Sequence, residues 1–222
     1  MLRRFEIYKV RSDVPSDLVD KFETALRDCG RYIPEVLHSV VGRNLSQASV
    51  THVWEHGYES PESYQRYMQH PYHACILDRY LLHDNPERIT EDNRLRGGLL
   101  GYEIEKPEYY MAGGVRRLVL LALAGDASGE QTRQLLETLR QTPRDAPEMT
   151  LSVVGENTMG AAWRTAYWTH LWEQGFESLE AMEAYRGGAS TLAREERAGW
   201  KERFGGIVTD AADVYYELHE PV

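Results

Sequence analysis

The sequence repeats itself, and the repeat constrains the fold more than any other feature. Leu2-Arg3-Arg4-Phe5-Glu6-Ile7 aligns with Val115-Arg116-Arg117-Leu118-Val119-Leu120 at an offset of 113 (115 − 2). Ser39-Val40-Val41-Gly42-Arg43-Asn44 aligns with Ser152-Val153-Val154-Gly155-Glu156-Asn157 at the same offset. Thr51-His52-Val53-Trp54-Glu55-His56-Gly57-Tyr58-Glu59-Ser60 then matches Thr169-His170-Leu171-Trp172-Glu173-Gln174-Gly175-Phe176-Glu177-Ser178 at 118 (169 − 51). The five added residues fall within Thr158 to Ala166, where a surface loop between strands tolerates insertion. Tyr102-Glu103-Ile104 echoes Tyr216-Glu217-Leu218 near the ends. Ordered blocks of this kind mark a tandem duplication.

Each copy reads as β-α-β-β-α-β. A strand over Leu2–Val10 precedes an amphipathic helix from Pro15 to Gly30, with Leu18, Phe22, Ala25, Leu26 and Cys29 at helical spacing. Strands are expected at Val36–Leu45 and Val50–Tyr58. Ser60-Pro61 then opens a second helix with a Ser cap and Pro in the first turn. His70-Pro71 interrupts it, a helical piece follows from Tyr72 to Leu82, and the loop His83–Arg96 leads to a last strand, Leu99–Ile104. Copy two repeats the pattern from Val115 to Glu220. The expected fold is α+β: two ferredoxin-like units, 1–106 and 115–222, joined by the linker Glu105–Gly114. Each sheet carries helices on one face only. Two copies can cover each other's bare faces and close an intramolecular α+β barrel, a monomer with an internal pseudo-dimer that leaves further homodimerisation open.

Composition narrows the partners. The net charge of −10, with no long basic run, argues against nucleic acid, which needs clustered Lys and Arg. The longest apolar run, Leu118–Ala124, is too short to cross a bilayer. Basic residues near the N-terminus have no apolar segment behind them, so no secretory signal is expected. Cys29 and Cys75 form no CxxC pair and read as reduced, partly buried thiols, although a single disulfide stays open. A cytoplasmic address fits these features.

The chemistry-bearing residues concentrate in copy one. Alternation along a strand puts His52, Trp54 and His56 on one side, and Arg4, Glu6 and Tyr8 on one side of the first strand. Their counterparts in copy two are His170, Trp172, Gln174, Arg117, Val119 and Leu121. In the second helix, Tyr67 is kept as Tyr185, whereas His70 and His73 become Gly188 and Thr191. Copy one is therefore expected to hold the pocket, lined by His52, Tyr67 and His73, and copy two to be structural. Blander readings stand beside these. Trp54/Trp172 and Glu55/Glu173 recur in both copies and read as scaffold, His170 as structural, and His70 as a helix cap. His38, His83 and His219 read as surface residues.

The run Thr51-His52-Val53-Trp54-Glu55, then Tyr58-Glu59-Ser60, then Tyr67-Met68-Gln69-His70-Pro71-Tyr72-His73 resembles the stress-responsive dimeric A/B barrel family. The resemblance covers nearly all of copy one and the scaffold of copy two. It implies the fold already read from the duplication. The family includes the plant olivetolic acid cyclase, a cofactor-free enzyme that closes a linear polyketide by aldol condensation. Carried over, the resemblance makes His73 the catalytic base, with Tyr67 and His52 as its partners. Arg4 and Leu26 stand where that cyclase has His and Tyr.

Three function classes follow. The first is a cofactor-independent enzyme performing acid/base chemistry on a small apolar, oxygenated substrate, by aldol cyclisation or a related lyase or isomerase step. There His73, Tyr67 and His52 would act, and Arg4, Glu6, Tyr8, Trp54, His56 and His70 would line the substrate. The second is a metal site built from His52, His56, His70, His73 and Glu6, or a haem held by a helix His. The third is a non-catalytic, stress-associated ligand binder. The sequence contains no phosphate-binding glycine loop, Ser-His-Asp arrangement or dinucleotide fingerprint.

Overall fold

The computed structural model describes residues 1–82, 85–91, 99–103, 113–142, 146–158, 167–187, 202 and 204–218. Among the described residues there are eight strands: β1 Leu2–Tyr8, β2 Val36–Arg43, β3 His52–Tyr58, β4 Leu99–Glu103, β5 Val115–Leu123, β6 Met149–Glu156, β7 His170–Phe176 and β8 Val208–Glu217. They form two antiparallel sheets of identical topology, β2-β3-β1-β4 and β6-β7-β5-β8. Each is the ferredoxin-like order expected of a split β-α-β unit.

The helices lie on the outer faces. Helix α1 (Ser16–Arg27) buries Phe22, Ala25 and Leu26 as their spacing predicts. It ends earlier than expected, because a turn at Asp28 separates it from the short α2 (Cys29–Tyr32). Helix α3 (Pro61–Gln69) starts as the sequence implies: the Ser60 hydroxyl accepts from the Ser63 N–H at 3.3 Å, with Pro61 at the first turn. Beyond Pro71 come a π-helical turn, His73–Leu77, and α4 (Asp78–Leu81). In the second unit, α5 (Gly129–Gln141) begins at a capping box of Ser128 and Gln131, and α6 (Leu179–Gly187) is the counterpart of α3. Strand β1 ends at Tyr8, and Val10 continues only as a single bridge to Thr90. No helix among the described residues is long and apolar enough to cross a membrane. Of the linker, 105–112 lies outside the described residues, as do His83, His219, Gly188 and Thr191; Gly113 and Gly114 have φ of 85° and 81°. Neither cysteine is in a disulfide, and Cys75 is exposed rather than partly buried.

The two bare sheet faces meet. Phe5, Ile7, Val53, Leu100 and Tyr102 of the first unit pack against Leu118, Leu120, Leu171, Val214 and Tyr216 of the second. The edges join as well: Leu45 N–H donates to the Tyr215 carbonyl at 2.8 Å, and Thr158 N–H to the Gly101 carbonyl at 2.7 Å. These bonds are related by the internal repeat, so the barrel closes on both sides.

Four charges sit inside this apolar layer. Arg3 donates to Glu55 and, at 2.8 Å, to Glu173. Arg116 lies 3.1 Å from Glu173 and 3.9 Å from Glu55. Tyr216 donates to Glu55 at 2.9 Å, Tyr102 donates to Glu173, and His38 Nε2 is 3.1 Å from Glu55. His38 is therefore drawn into the barrel instead of lying on the surface. Burial alone would raise the Glu55 carboxyl, but Arg3, His38 and Arg116 hold it well below the usual carboxylate range.

Removing one member leaves an uncompensated buried charge. Glu173→Ala is expected to cost about 3–5 kcal/mol, read by urea denaturation. Gly42 faces the Tyr216 ring so closely that a Cβ would overlap it, whereas at Gly155 the nearest Tyr102 atom would be 3.0 Å away. Gly42→Ala is expected to cost about 1–3 kcal/mol, and Gly155→Ala less, by the same measurement.

Candidate functional site

The helix-facing side of β1 and β3 gathers a polar cluster beneath α3. Arg4 is 2.6 Å from Glu6 and donates to the Tyr64 hydroxyl. Tyr8 donates to the other Glu6 oxygen. His56 Nε2 is 3.5 Å from Glu6, too far for a good hydrogen bond, and its Nδ1 is 2.6 Å from the Tyr58 hydroxyl. Arg4, Glu6 and His56 are all buried. Burial works against each charge, yet the facing partner holds Arg4 above its ordinary pKa and Glu6 below its own. His56 has no such balance. Burial outweighs Glu6 and lowers it to about 4, so it is neutral at pH 7.

Tyr67 and His73 close this cluster from the helix side. Tyr67 is fully buried, its ring 5.1 Å from Tyr58, 5.9 Å from Tyr64 and 5.9 Å from His56. His73 meets Tyr67 edge-on at 4.5 Å. Their contact is ring to ring. The Tyr67 hydroxyl and His73 Nδ1 are both buried without a hydrogen-bond partner. Burial lowers the His73 pKa, with Asp78 and Glu6 opposing. A buried hydroxyl left unpaired is costly, so this one is held open by its surroundings.

Two expected site residues lie elsewhere. His52 is hydrogen-bonded at both ring nitrogens, Nδ1 to Thr51 Oγ1 at 2.7 Å and Nε2 to Glu23 Oε1 at 3.0 Å. Glu23 also accepts from Arg43 at 2.7 Å and Arg27 at 2.8 Å, so His52 ties β3 to α1. His170 repeats the Thr169 contact at 3.0 Å, which marks the Thr-His pair as scaffold. His70 is the C-cap of α3, and its Nδ1 accepts from the Tyr72 N–H at 3.2 Å. Trp54 stacks on His56 at 3.9 Å, but its indole N–H is committed to Ser39 at 2.7 Å, and Ser39 to the Leu26 carbonyl at 2.6 Å. Trp172, Ser152 and Leu139 repeat that clamp in the second unit. Among the described residues, no three His, Cys, Asp or Glu side chains converge as metal ligands.

A groove of about 440 Å³ opens between α1 and the segment carrying Tyr72 and Tyr80. None of His52, Tyr67 and His73 lines it. Tyr58, Tyr64 and Asp78 were not singled out by sequence. The comparison between copies carried a signal for two of them, since Tyr58 and Tyr64 stand opposite Phe176 and Met182, which lack hydroxyls. In the second unit Arg117 turns instead to Asp213 at 2.9 Å and Gln174 at 3.0 Å.

The buried histidines make stability pH-dependent. With its folded pKa near 4 and an unfolded value near 6.5, His56 costs nothing above pH 6.5. Below that the unfolded chain takes up a proton that the folded one does not, and stability falls with pH until about 4. His52 and His73 shift in the same direction. His56→Gln, which installs the residue of the second unit, is expected to flatten the slope by up to ~1.4 kcal/mol per pH unit, measured by urea denaturation between pH 7 and 5.

Comparison with known proteins agrees with this architecture. A protein assigned as a monooxygenase from Lactobacillus acidophilus NCFM shares 11% identity over 97% of this chain and 92% of its own, with a TM-score of 0.56. An anthrone oxidase-like protein shares 16% over 98% and 90%, at 0.61, and a protein assigned as a chlorite dismutase 8% over 99% and 95%, at 0.58. At such identities the likeness is one of fold. No curated protein matches the sequence. The model of the stress responsive A/B barrel domain matches twice, over residues 2–85 and 115–199. With both halves of the barrel matched, the chain belongs to the stress responsive A/B barrel domain family.

Proposed function

We propose that the first unit carries a cofactor-independent acid/base site for a small apolar, oxygenated substrate, and that its chemistry begins with removal of a proton from carbon next to a carbonyl. The observation that carries this reading is the Tyr67–His73 pair: a buried hydroxyl without a partner against a buried, neutral imidazole. A neutral His near working pH is an effective base. The Tyr67 hydroxyl would donate to the substrate oxygen, where charge develops as the proton leaves. Arg4, committed to Glu6 and Tyr64, supplies positive charge behind it. His52 and Trp54 serve the scaffold in this reading. The second unit keeps Tyr185 but replaces Glu6 and His56 by Val119 and Gln174, and acts as a structural half.

Tyr67 is fully buried and His73 only 7% exposed, so a substrate reaches them only after the structure over the pair opens. The finer proposal is an aldol-type cyclisation of a polyketide-like chain. Anthrone, the compound in the name of one fold neighbour, carries a methylene whose protons the carbonyl acidifies through the rings, and it supplies a second probe of proton removal. An assay for that first step therefore tests the reading whichever reaction follows. Solvent deuterium exchange into anthrone and into a linear β-diketone, followed by NMR, is expected to be accelerated by the protein. His73→Ala should reduce the acceleration by at least about 100-fold and Tyr67→Phe by on the order of 100-fold, with folding intact. Exchange at the full rate in His73→Ala would refute His73 as the base.

A further inference from the structure

Asp78 has no place in the chemistry described so far, yet the backbone delivers it to His73. In an α-helix, residues five apart point about 140° away from each other around the axis. From His73 to Leu77 the helix is instead a π turn, and the Asp78 N–H bonds to the His73 carbonyl. That i to i+5 bond places Asp78 one turn from His73 on the same face. The ring nitrogen His73 Nδ1 lies 3.7 Å from Asp78 Oδ2, with side-chain exposures of only 10% and 21%. Nδ1 is buried without a hydrogen-bond partner. The carboxylate is thus an acceptor close to a buried ring nitrogen that has no partner, about half an ångström beyond hydrogen-bond range. A single π turn is unfavourable and rare, and such turns cluster at functional sites.

Building on the reading of His73 as a base, we propose that Asp78 is its positioning residue. It holds the proton on Nδ1, keeps the Nε2 lone pair free to accept one from the substrate, and faces the imidazolium that forms. A carboxylate behind an imidazole acts this way in hydrolytic triads, without itself taking the proton. Among the described residues, the Glu6 carboxylate, the Arg4 guanidinium and the Met68 carbonyl in α3 also act on the ring, and Tyr67 meets it edge-on. Asp78 and Glu6 raise the His73 pKa against burial, Arg4 lowers it, and the Met68 carbonyl is the competing acceptor for a ring proton. Burial and Glu6 in turn raise the Asp78 carboxyl, with His73 opposing.

The tautomer is directly measurable without any substrate. Two-bond nitrogen–proton correlation spectra of ¹⁵N-labelled protein, with His73 assigned by its loss in His73→Gln, are expected to show Nδ1–H with bare Nε2 between pH 7 and 8. In Asp78→Ala, at a helical position that Ala suits, that tautomer should lose its majority and the His73 pKa should fall. Asp78→Asn, which keeps an acceptor but not the charge, should keep the tautomer and lower the pKa. In the deuterium-exchange assay Asp78→Ala is expected to lose about 10- to 100-fold in kcat with KM unchanged. A wild-type Nε2–H tautomer, or an unchanged tautomer and pKa in Asp78→Ala, overturns the pairing. His73→Ala retaining exchange activity would instead refute only the catalytic reading, because the spectra do not depend on turnover.

Discussion

Everything in this molecule hangs on four charges that never see water. Arg3, Arg116, Glu55 and Glu173 sit between two sheets, net neutral, within an otherwise apolar layer. Desolvating them is expensive, so the network adds less to stability than its contacts suggest. What it fixes is register. Each copy opens with two adjacent arginines, and only one of each pair reaches the barrel interior. A one-residue slip of β1 would exchange Arg3 and Arg4 between the interior and the helix side. It would also carry Glu6 and Tyr8 into the apolar layer and Phe5 and Ile7 out of it, and the cost of stranding a buried carboxylate penalises that pairing. Tyr102 and Tyr216 complete the lock, each donating to a carboxylate of the opposite unit while its ring covers that unit's glycine.

The fold was legible because its evidence is redundant. Two copies state the same strand order, and the Ser60-Pro61 entry and His70-Pro71 break are local signals with local causes. The site was legible only in part. Alternation correctly put Arg4, Glu6, Tyr8, Trp54 and His56 on one face, since that follows from strand geometry alone. It could not say which residues on the face were already committed elsewhere. His52 shares the face but is bonded to Thr51 and Glu23, a residue of α1 that strand periodicity does not reach. His38 was misplaced for a related reason: the register shift between Val36 and His38 re-aims that strand end, and no residue in the segment announces the bulge. Asp78 was invisible because its link to His73 depends on a π turn, and helical periodicity assumes 3.6 residues throughout.

Strand parity separates the two tasks of this chain. Residues of one parity on β1, β3, β5 and β7 build the barrel and are matched between copies: Arg3 with Arg116, Glu55 with Glu173, Gly57 with Gly175. Residues of the other parity face the helices, and there the copies differ: Glu6 against Val119, Tyr8 against Leu121, His56 against Gln174, Tyr58 against Phe176. The two faces share a backbone but no side-chain contacts across the sheet, so changes on one leave the register of the other intact. Where the helix-facing side is common to both copies, it is mechanical. The indole–serine–carbonyl clamp of Trp54, Ser39 and Leu26, repeated by Trp172, Ser152 and Leu139, pins the first helix of each unit to its sheet. A duplicated barrel can thus carry a cluster of buried polar groups in one half while the other half holds an apolar core. The cost of the unpaired Tyr67 hydroxyl on α3 is offset by the apolar core that packs on the far face of the sheet beneath it.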